Sequence, residues 1–318
     1  MTQARFVHIV DDVPELEGLS DGPVMITVLE GFLDAGSASA LASGHLLESS
    51  SSRVVASFEV DEFYDYRARR PPMTFLEDHY EDYDAPRLVV RLLHDAANAP
   101  YLLLTGPEPD VRWEGFAEAV RKVIEHFEVR LTVSLGSVPM AVPHTRPIQL
   151  TNHATSKRLL ISSNVWAGEI RIPASAQSLL ELRLGEWGHD ATGFVAHIPH
   201  YVAQYGYPEA AAAMLTQVGS VTGLRWDTSE LDEAADERRT EIGSQVADSD
   251  EVRAVVQGLE QQYDAFHLGG PNLLDGTPGA LADSLGDALR DGGELPTGDE
   301  LGAQFEQFLA GLDQTEED

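Results

Sequence analysis

Residues 24–29 read VMITVL, a run with no charge and none of the apolar–polar alternation of a strand that has one wet face. Such a run suits a strand covered on both sides, which requires helices above and below a sheet. The rest of residues 1–225 supplies the remainder of such a sheet. Strands are predicted at 5–10, 53–60, 87–93, 101–105, 129–135, 148–151 and 194–198, where β-branched and apolar residues cluster between turn formers. Helices are predicted between them. Residues 38–48 favour one; a second starts at the N-cap candidate Asp110 and carries Trp113, Phe116, Val120, Val123, Ile124 and Phe127 at helical spacing; a third, rich in alanine, opens at Pro208 and runs to about Val218. Alternating strands and helices imply a three-layer α/β/α sandwich around a mainly parallel sheet.

Beyond Trp226 the pattern changes. Leu231, Ala235, Ile242 and Val246 form one helical stripe, and Val252, Val255, Val256, Leu259, Tyr263 and Phe266 form another. A Gly/Pro/Asp-rich run at 269–293, with a short helix expected at 281–289, precedes a last amphipathic helix announced by the Thr297/Glu300 capping box, and then a frayed tail. Charge marks the same boundary: residues 227–318 hold 24 acidic and 4 basic side chains, against 29 and 17 in residues 1–226. We therefore expect an α/β domain at 1–225 and an acidic helical extension at 226–318.

The chain has no cysteine, which removes disulfides, thiolate nucleophiles and cysteine-held metals. Its net charge of −32 opposes nucleic acid and anionic membranes. No stretch has the length of a membrane span or the form of a secretory leader, so a cytoplasmic protein is expected, with neither a nucleic-acid nor a membrane partner.

In a doubly wound sheet the loops at the C-terminal strand ends line the ligand-facing edge. Four unusual segments follow predicted strands and share that edge: GFLDAGSAS at 31–39, GPEPDVRW at 106–113, GSVPMAVPHTRP at 136–147 and IPHY at 198–201. Each has two readings. Asp34 either caps the following helix or stands beside an anion held by Ser37 and free amides, although the segment lacks the lysine of a phosphate loop and the spacing of a dinucleotide fingerprint or nucleophile elbow. Glu108, on a turn stiffened by Pro107 and Pro109, with Asp110 beside it, is either a solvated carboxylate or a general acid–base. His144 and Arg146, set between two prolines, join His200 and Tyr201 in a cationic pocket or simply tie loops together. His197 and His200 lack a carboxylate that would complete a metal site, so no metal and no cofactor is expected. Arg67, Arg69 and Arg70 concentrate positive charge in an acidic chain, as an anion site or an interface patch.

Taken in order, GFLDAGSAS, DEFYDYRARRPP, LLLTGPEPDVRW, VPHTRP and IPHYVAQYGYPEAA resemble the PAC2 family, proteins similar to the second proteasome assembly chaperone of eukaryotes, and in particular its longer actinobacterial-type members. The likeness covers about residues 5–225, and the acidic helical extension is similar to that subgroup as well. It implies a sandwich of nucleoside-phosphorylase-like architecture and a role in binding proteins, as chaperones of proteasome α subunits do. It supplies no catalytic residues. Some assembly chaperones dock through a hydrophobic–tyrosine–any-residue tail; Thr315, Glu316, Glu317 and Asp318 do not match it, so docking of that kind is not expected.

The function expected is therefore non-enzymatic: a protein-binding or assembly-chaperone-like role, with a protein partner and a homo-oligomer taken as a trimer. The alternative is a hydrolase or phosphorylase-like enzyme acting on an anionic small molecule at the C-terminal strand edge.

Overall fold

The computed structural model describes residues 6–161 and 169–268. The helices expected at 281–289 and after Thr297, and the tail, lie outside the described residues. In chain order the elements are β1 (Val7–Ile9), β2 (Val24–Glu30), α1 (Ala38–Ser49), β3 (Arg53–Phe58), β4 (Thr74–Leu76), β5 (His79–Glu81), β6 (Val89–His94) and β7 (Pro100–Pro107). They continue with α2 (Trp113–His126), β8 (Leu131–Met140), β9 (Leu150–Ala154), α3 (Ala176–Glu186), β10 (Ala191–Pro199), α4 (Pro208–Thr222), α5 (Ser229–Ala247) and α6 (Asp250–Leu268).

Eight strands form one sheet in the order β1-β3-β6-β7-β2-β8-β10-β9. Its centre, β7-β2-β8-β10, is parallel, and the pairings outward from β7 and β10 are antiparallel. The β6–β7 connection shows why a flank reverses. Asp95 accepts from the amides of Ala97 and Ala99, closing a turn far too short for a parallel crossover.

The expected α/β/α sandwich is what the chain forms. The run read as doubly covered behaves so: Val24, Ile26 and Val28 pack in a core with α1 and α4, while Met25 enters the opposite core with α2 and α3. On α2, Phe116, Val120, Val123 and Ile124 are buried at helical spacing. Burial at about 25 cal/mol per Å² of apolar surface makes these two faces the main stabilising term. Helix α5 adds Leu231 and Ile242 to the α1/α4 core. The chain separates into two compact units, Met1–Tyr263 and Asp264–Asp318.

Three local differences from the sequence reading have physical causes. First, β8 continues to Met140, through the stretch read as loop. Its ladder with β2 stops at Ser134, so Pro139, which has no N–H, sits where one flank of the strand has no strand partner beyond an isolated Asp34–Ser137 bridge. Second, α3 was not expected. Its signal is a Ser175/Ser178 capping box and a Leu180/Leu184 pair, obscured by Leu179 and Leu182, which blur the helical period. Third, Asp110 is not the N-cap of α2. Arg112 holds that position without a side-chain bond, because the Asp110 carboxylate is engaged elsewhere.

Candidate functional site

Because β2, β7, β8 and β10 run in one direction, the segments at 31–39, 106–113, 136–147 and 198–201 all emerge at one edge of the sheet. Antiparallel β3 and β6 bring a fifth segment, residues 59–88, to the same edge. Arg67, Arg69 and Arg70 therefore stand on it too, a neighbourhood hidden from the sequence because it depends on the reversed flank.

The predicted residues fall into three groups, with no hydrogen bond or ion pair joining one group to another among the described residues. In the first, Asp34 Oδ1 accepts from the Ser39 amide (2.9 Å) and hydroxyl (2.6 Å), and Oδ2 accepts from the Ala40 amide (3.0 Å). Ser137 Oγ reaches the same carboxylate at 2.7 Å, linking β8 to the α1 entrance. Asp34 thus satisfies orphan donors of the first turn of α1, the capping role. Gly36 at φ +65° lets the chain pass Tyr207, whose Cβ would lie 2.7 Å from any Cβ placed there. Ser37 is exposed and makes no cap bond.

The second group is built around Arg69. Its Nη2 donates to the Glu108 carbonyl (2.6 Å) and to Asp110 Oδ2 (2.7 Å), and the guanidinium lies 4.6 Å from the Tyr64 ring centroid. Asp110 also accepts from the Asp65 amide at 2.7 Å. Glu108 turns the other way and accepts from the Ala176 amide at 2.6 Å, at the start of α3. Burial raises the Glu108 carboxyl above its ordinary value, against the lowering effects of that amide and of Arg69. Arg67 and Arg70 remain exposed, and their side chains make no hydrogen bond or ion pair to the described residues, although the Arg67 amide donates to Asp65 at 2.8 Å.

In the third group the His144 amide donates to Tyr201 Oη (2.8 Å), and the Tyr201 hydroxyl in turn donates to His144 Nδ1 (2.7 Å). Burial lowers the His144 imidazole below its usual value and pushes the Tyr201 phenol up to about 12. Arg146 pairs with Glu260 of α6 at 3.2 Å, Thr145 donates to the same carboxylate, and the Tyr263 hydroxyl donates to the Pro147 carbonyl at 3.2 Å. The PHTRP loop is thus a docking point for α6. His200 is exposed and stacks edge-on with Tyr201 at 5.4 Å, whereas His197 is buried against Thr151 at 2.8 Å, so this pair does not converge.

What the sequence reading missed on this edge is apolar. Phe32 is 56% exposed, and Leu33, Val111 and Tyr205 are also exposed. Ile170 and Ile172, in the segment that leads into α3, are exposed as well. From residues 59–88 projects the β4–β5 hairpin, a two-stranded sheet of three-residue strands with Phe75 60% and Tyr80 72% exposed. These two rings pair at 5.1 Å, and Met73, Leu76 and Tyr83 beside them are exposed too. An isolated two-stranded hairpin is marginal in water. Its signal in the sequence was aromatic content without any helical or strand period. By contrast, a shallow depression lined by Tyr207, Glu209, Ala235, Arg238 and Arg239 is too small to enclose a water molecule.

No helix among the described residues is long and apolar enough to cross a membrane. No curated protein matches the chain. Among solved structures, it is similar to the Mycobacterium tuberculosis protein of unknown function Rv2714, with 45% identity, a TM-score of 0.79, and coverage of 86% of this chain and 93% of that one. A protein of unknown function from Corynebacterium glutamicum matches at 35% identity and TM-score 0.77, covering 82% and 97%. The Mycobacterium tuberculosis proteasome-assembly chaperone homologue Rv2125 matches at 25% identity and TM-score 0.68, covering 73% and 99%. The PAC2 family model matches residues 28–246, and the chain belongs to the PAC2 family.

Proposed function

We propose that the main role of this chain is non-enzymatic, that of an assembly-chaperone-like protein that binds other proteins through its C-terminal strand edge, and that it works in the cytoplasm as a homo-oligomer, with three copies as the expected number. The observation that carries this reading is the β4–β5 hairpin. Its aromatic pair is exposed, and it has too few strands to be stable alone. A second copy is the occupant proposed for it. The segment is self-complementary in charge: the hairpin and its exit carry Glu77, Asp78, Glu81, Asp82 and Asp84, and its root carries the exposed Arg67 and Arg70, which have no ion-pair partner among the described residues. In a chain of net charge −32, a cationic root of this kind is what lets two acidic copies approach. The apolar rim of Phe32, Leu33, Val111 and Tyr205 is then the surface left for a client protein, of which proteasome α subunits are the class implied by the family resemblance.

The side chains that the enzyme alternative needs support fastening better than catalysis. Asp34 caps α1, Glu108 meets the start of α3, Asp110 holds Arg69, and Arg146 holds Glu260. Light scattering on the full chain tests self-association, with Phe75→Asp/Tyr80→Asp expected to lower the mass to that of one copy. Client binding is tested by adding purified proteasome α subunits. Faster assembly that is lost in Phe32→Asp/Leu33→Asp supports the reading, and an unchanged assembly rate with wild-type protein sinks it.

A further inference from the structure

On the face of the sheet that carries α3, an unusual polar row crosses four strands. Thr27 of β2 is in register with Ser134 of β8, Ser134 with Gly193 of β10, and Gly193 with His153 of β9. Met25 and Ala191, each two residues before a member of this row, belong to the core shared with α2 and α3, so the row lies on that same face. We propose that Ser134, His153 and Glu181 form a serine–histidine–glutamate relay that activates the Ser134 hydroxyl toward small acyl esters. This lies beyond the protein-binding reading and does not depend on it.

The geometry begins with Gly193. A Cβ there would overlap Ser134 Oγ and the edge of the His153 ring, and would stand 2.5 Å from His153 Nε2. The missing side chain is what allows the imidazole of the edge strand to reach over β10 toward the serine. His153 Nδ1 lies 2.8 Å from the Glu181 carboxylate, on a helix anchored by its Ser175 capping box. Donation of the Nδ1 proton to Glu181 leaves the lone pair on Nε2, which like Ser134 Oγ borders the place of the missing Gly193 side chain, as a general base requires. Ser134 is buried, keeping 7% of its surface, beside a His153 side chain that is 40% exposed. Ser134 Oγ makes no hydrogen bond among the described residues, and its contact with Nε2 closes when substrate arrives.

A second observation points to a ligand. The Thr27 hydroxyl is 1% exposed and has no hydrogen-bond partner, and it flanks Ser134 on the side away from His153. It is the donor available to an oxyanion. Gly136, where an added Cβ would touch only Val195 at 3.9 Å, opens further room along β8.

In the reaction Ser134 Oγ bonds to the acyl carbon as its proton passes to His153 Nε2, and Glu181 stays ionised and holds the imidazolium in place. The tetrahedral oxyanion collapses, the carbon–oxygen bond to the leaving alcohol breaks, and that alcohol takes the proton from Nε2. Water repeats the sequence, releasing the carboxylic acid and restoring the Ser134 hydroxyl. Ser134 and His153 are catalytic residues, and Glu181 is a positioning residue.

The test is covalent labelling of the full chain with a fluorophosphonate probe, read by peptide mass spectrometry, together with p-nitrophenyl acetate turnover. The expected result is one adduct on Ser134, absent in Ser134→Ala, formed at least tenfold more slowly in Glu181→Gln and slower still in His153→Asn, with melting curves showing each variant folded. Absence of an adduct on Ser134 overturns the proposal, as does an adduct whose rate is unchanged in folded Glu181→Gln and His153→Asn. If His153→Asn does not fold, Glu181→Gln and the pH profile of wild-type labelling decide: a rate independent of pH contradicts an imidazole base. Light scattering on the same samples keeps this result separate from the fate of the self-association reading.

Discussion

Replacing Arg69 by Ala removes one of the ties that fasten residues 59–88 to the end of β7, the others being the Asp65 amide on Asp110 and the Asp110 and Val111 amides on the Phe63 carbonyl. Two charge-assisted contacts are lost, at 2.6 Å to the Glu108 carbonyl and 2.7 Å to Asp110, together with the stacking on Tyr64. The pair is 31% and 25% exposed, so solvent screens it only in part. Hydrogen bonds to charged groups contribute about 1.5–3 kcal/mol and a cation over an aromatic ring about 0.5–1 kcal/mol. Against this, Arg69 Nε is buried without a partner in the native protein, and its removal returns about 1 kcal/mol. The net loss expected is about 2 kcal/mol. Arg69→Lys should recover less than half, since an ammonium cannot present the guanidinium fork. Denaturant unfolding gives the free energy, and hydrogen exchange locates it: peptides from 64–86 should exchange faster while those of β2 and β8 do not. A loss below about 0.5 kcal/mol, the scale of an ordinary surface change, with unchanged exchange in that segment, would refute the reasoning.

The other predictions concern the same edge and its supports. Glu108→Gln keeps an acceptor for the Ala176 amide and removes a carboxylate that burial penalises, so its stability at neutral pH should equal or exceed wild type; Glu108→Ala should cost about 1 kcal/mol, like the loss of a cap. A marked loss in the Gln variant would contradict this. Gly106→Ala should be severely destabilised, by about 3 kcal/mol or more, because a Cβ at φ +139° overlaps the Arg87 carbonyl oxygen and lies 2.8 Å from Leu88 Cα. Thermal melting of the soluble fraction reads it, and wild-type stability would be the contrary result. Burial holds His144 and His197 below the ordinary imidazole value, so the unfolded chain takes up these protons first as the pH falls below about 6.5. Their contribution is therefore fully present above that pH and is lost as the pH falls through the folded values. The melting temperature should drop less between pH 7.5 and 5.5 in His197→Asn than in wild type; parallel curves would contradict the sign.

The layered fold was legible because β2 and α2 carry patterns set by burial alone: a continuous apolar run covered on two faces, and a stripe covered on one. The shared edge was legible for a related reason, since strand direction fixes where a following loop emerges. Side-chain partnerships were not. That Glu108 would meet α3, that Arg146 would meet Glu260, and that Asp110 would serve Arg69 rather than its own helix all depend on segments far apart in sequence, brought together by packing. The Gly193 gap was equally invisible, because a glycine just before the strand predicted at 194–198 gives no sign that it lies in the sheet or of which ring will fill its place. The β4–β5 hairpin escaped because its residues face solvent on both sides, and without one buried face no period of two is imposed.

The central claim is that the exposed aromatic hairpin joins copies of this chain. Sedimentation velocity of the 34.6 kDa chain, run beside Phe75→Asp/Tyr80→Asp, tests it most directly. The account predicts that wild type sediments as a multiple of that mass, with three copies expected, and that the double variant falls to one copy while melting at the same temperature. A wild-type protein that stays at one copy across the concentration range, or a double variant that keeps the wild-type mass, would contradict it.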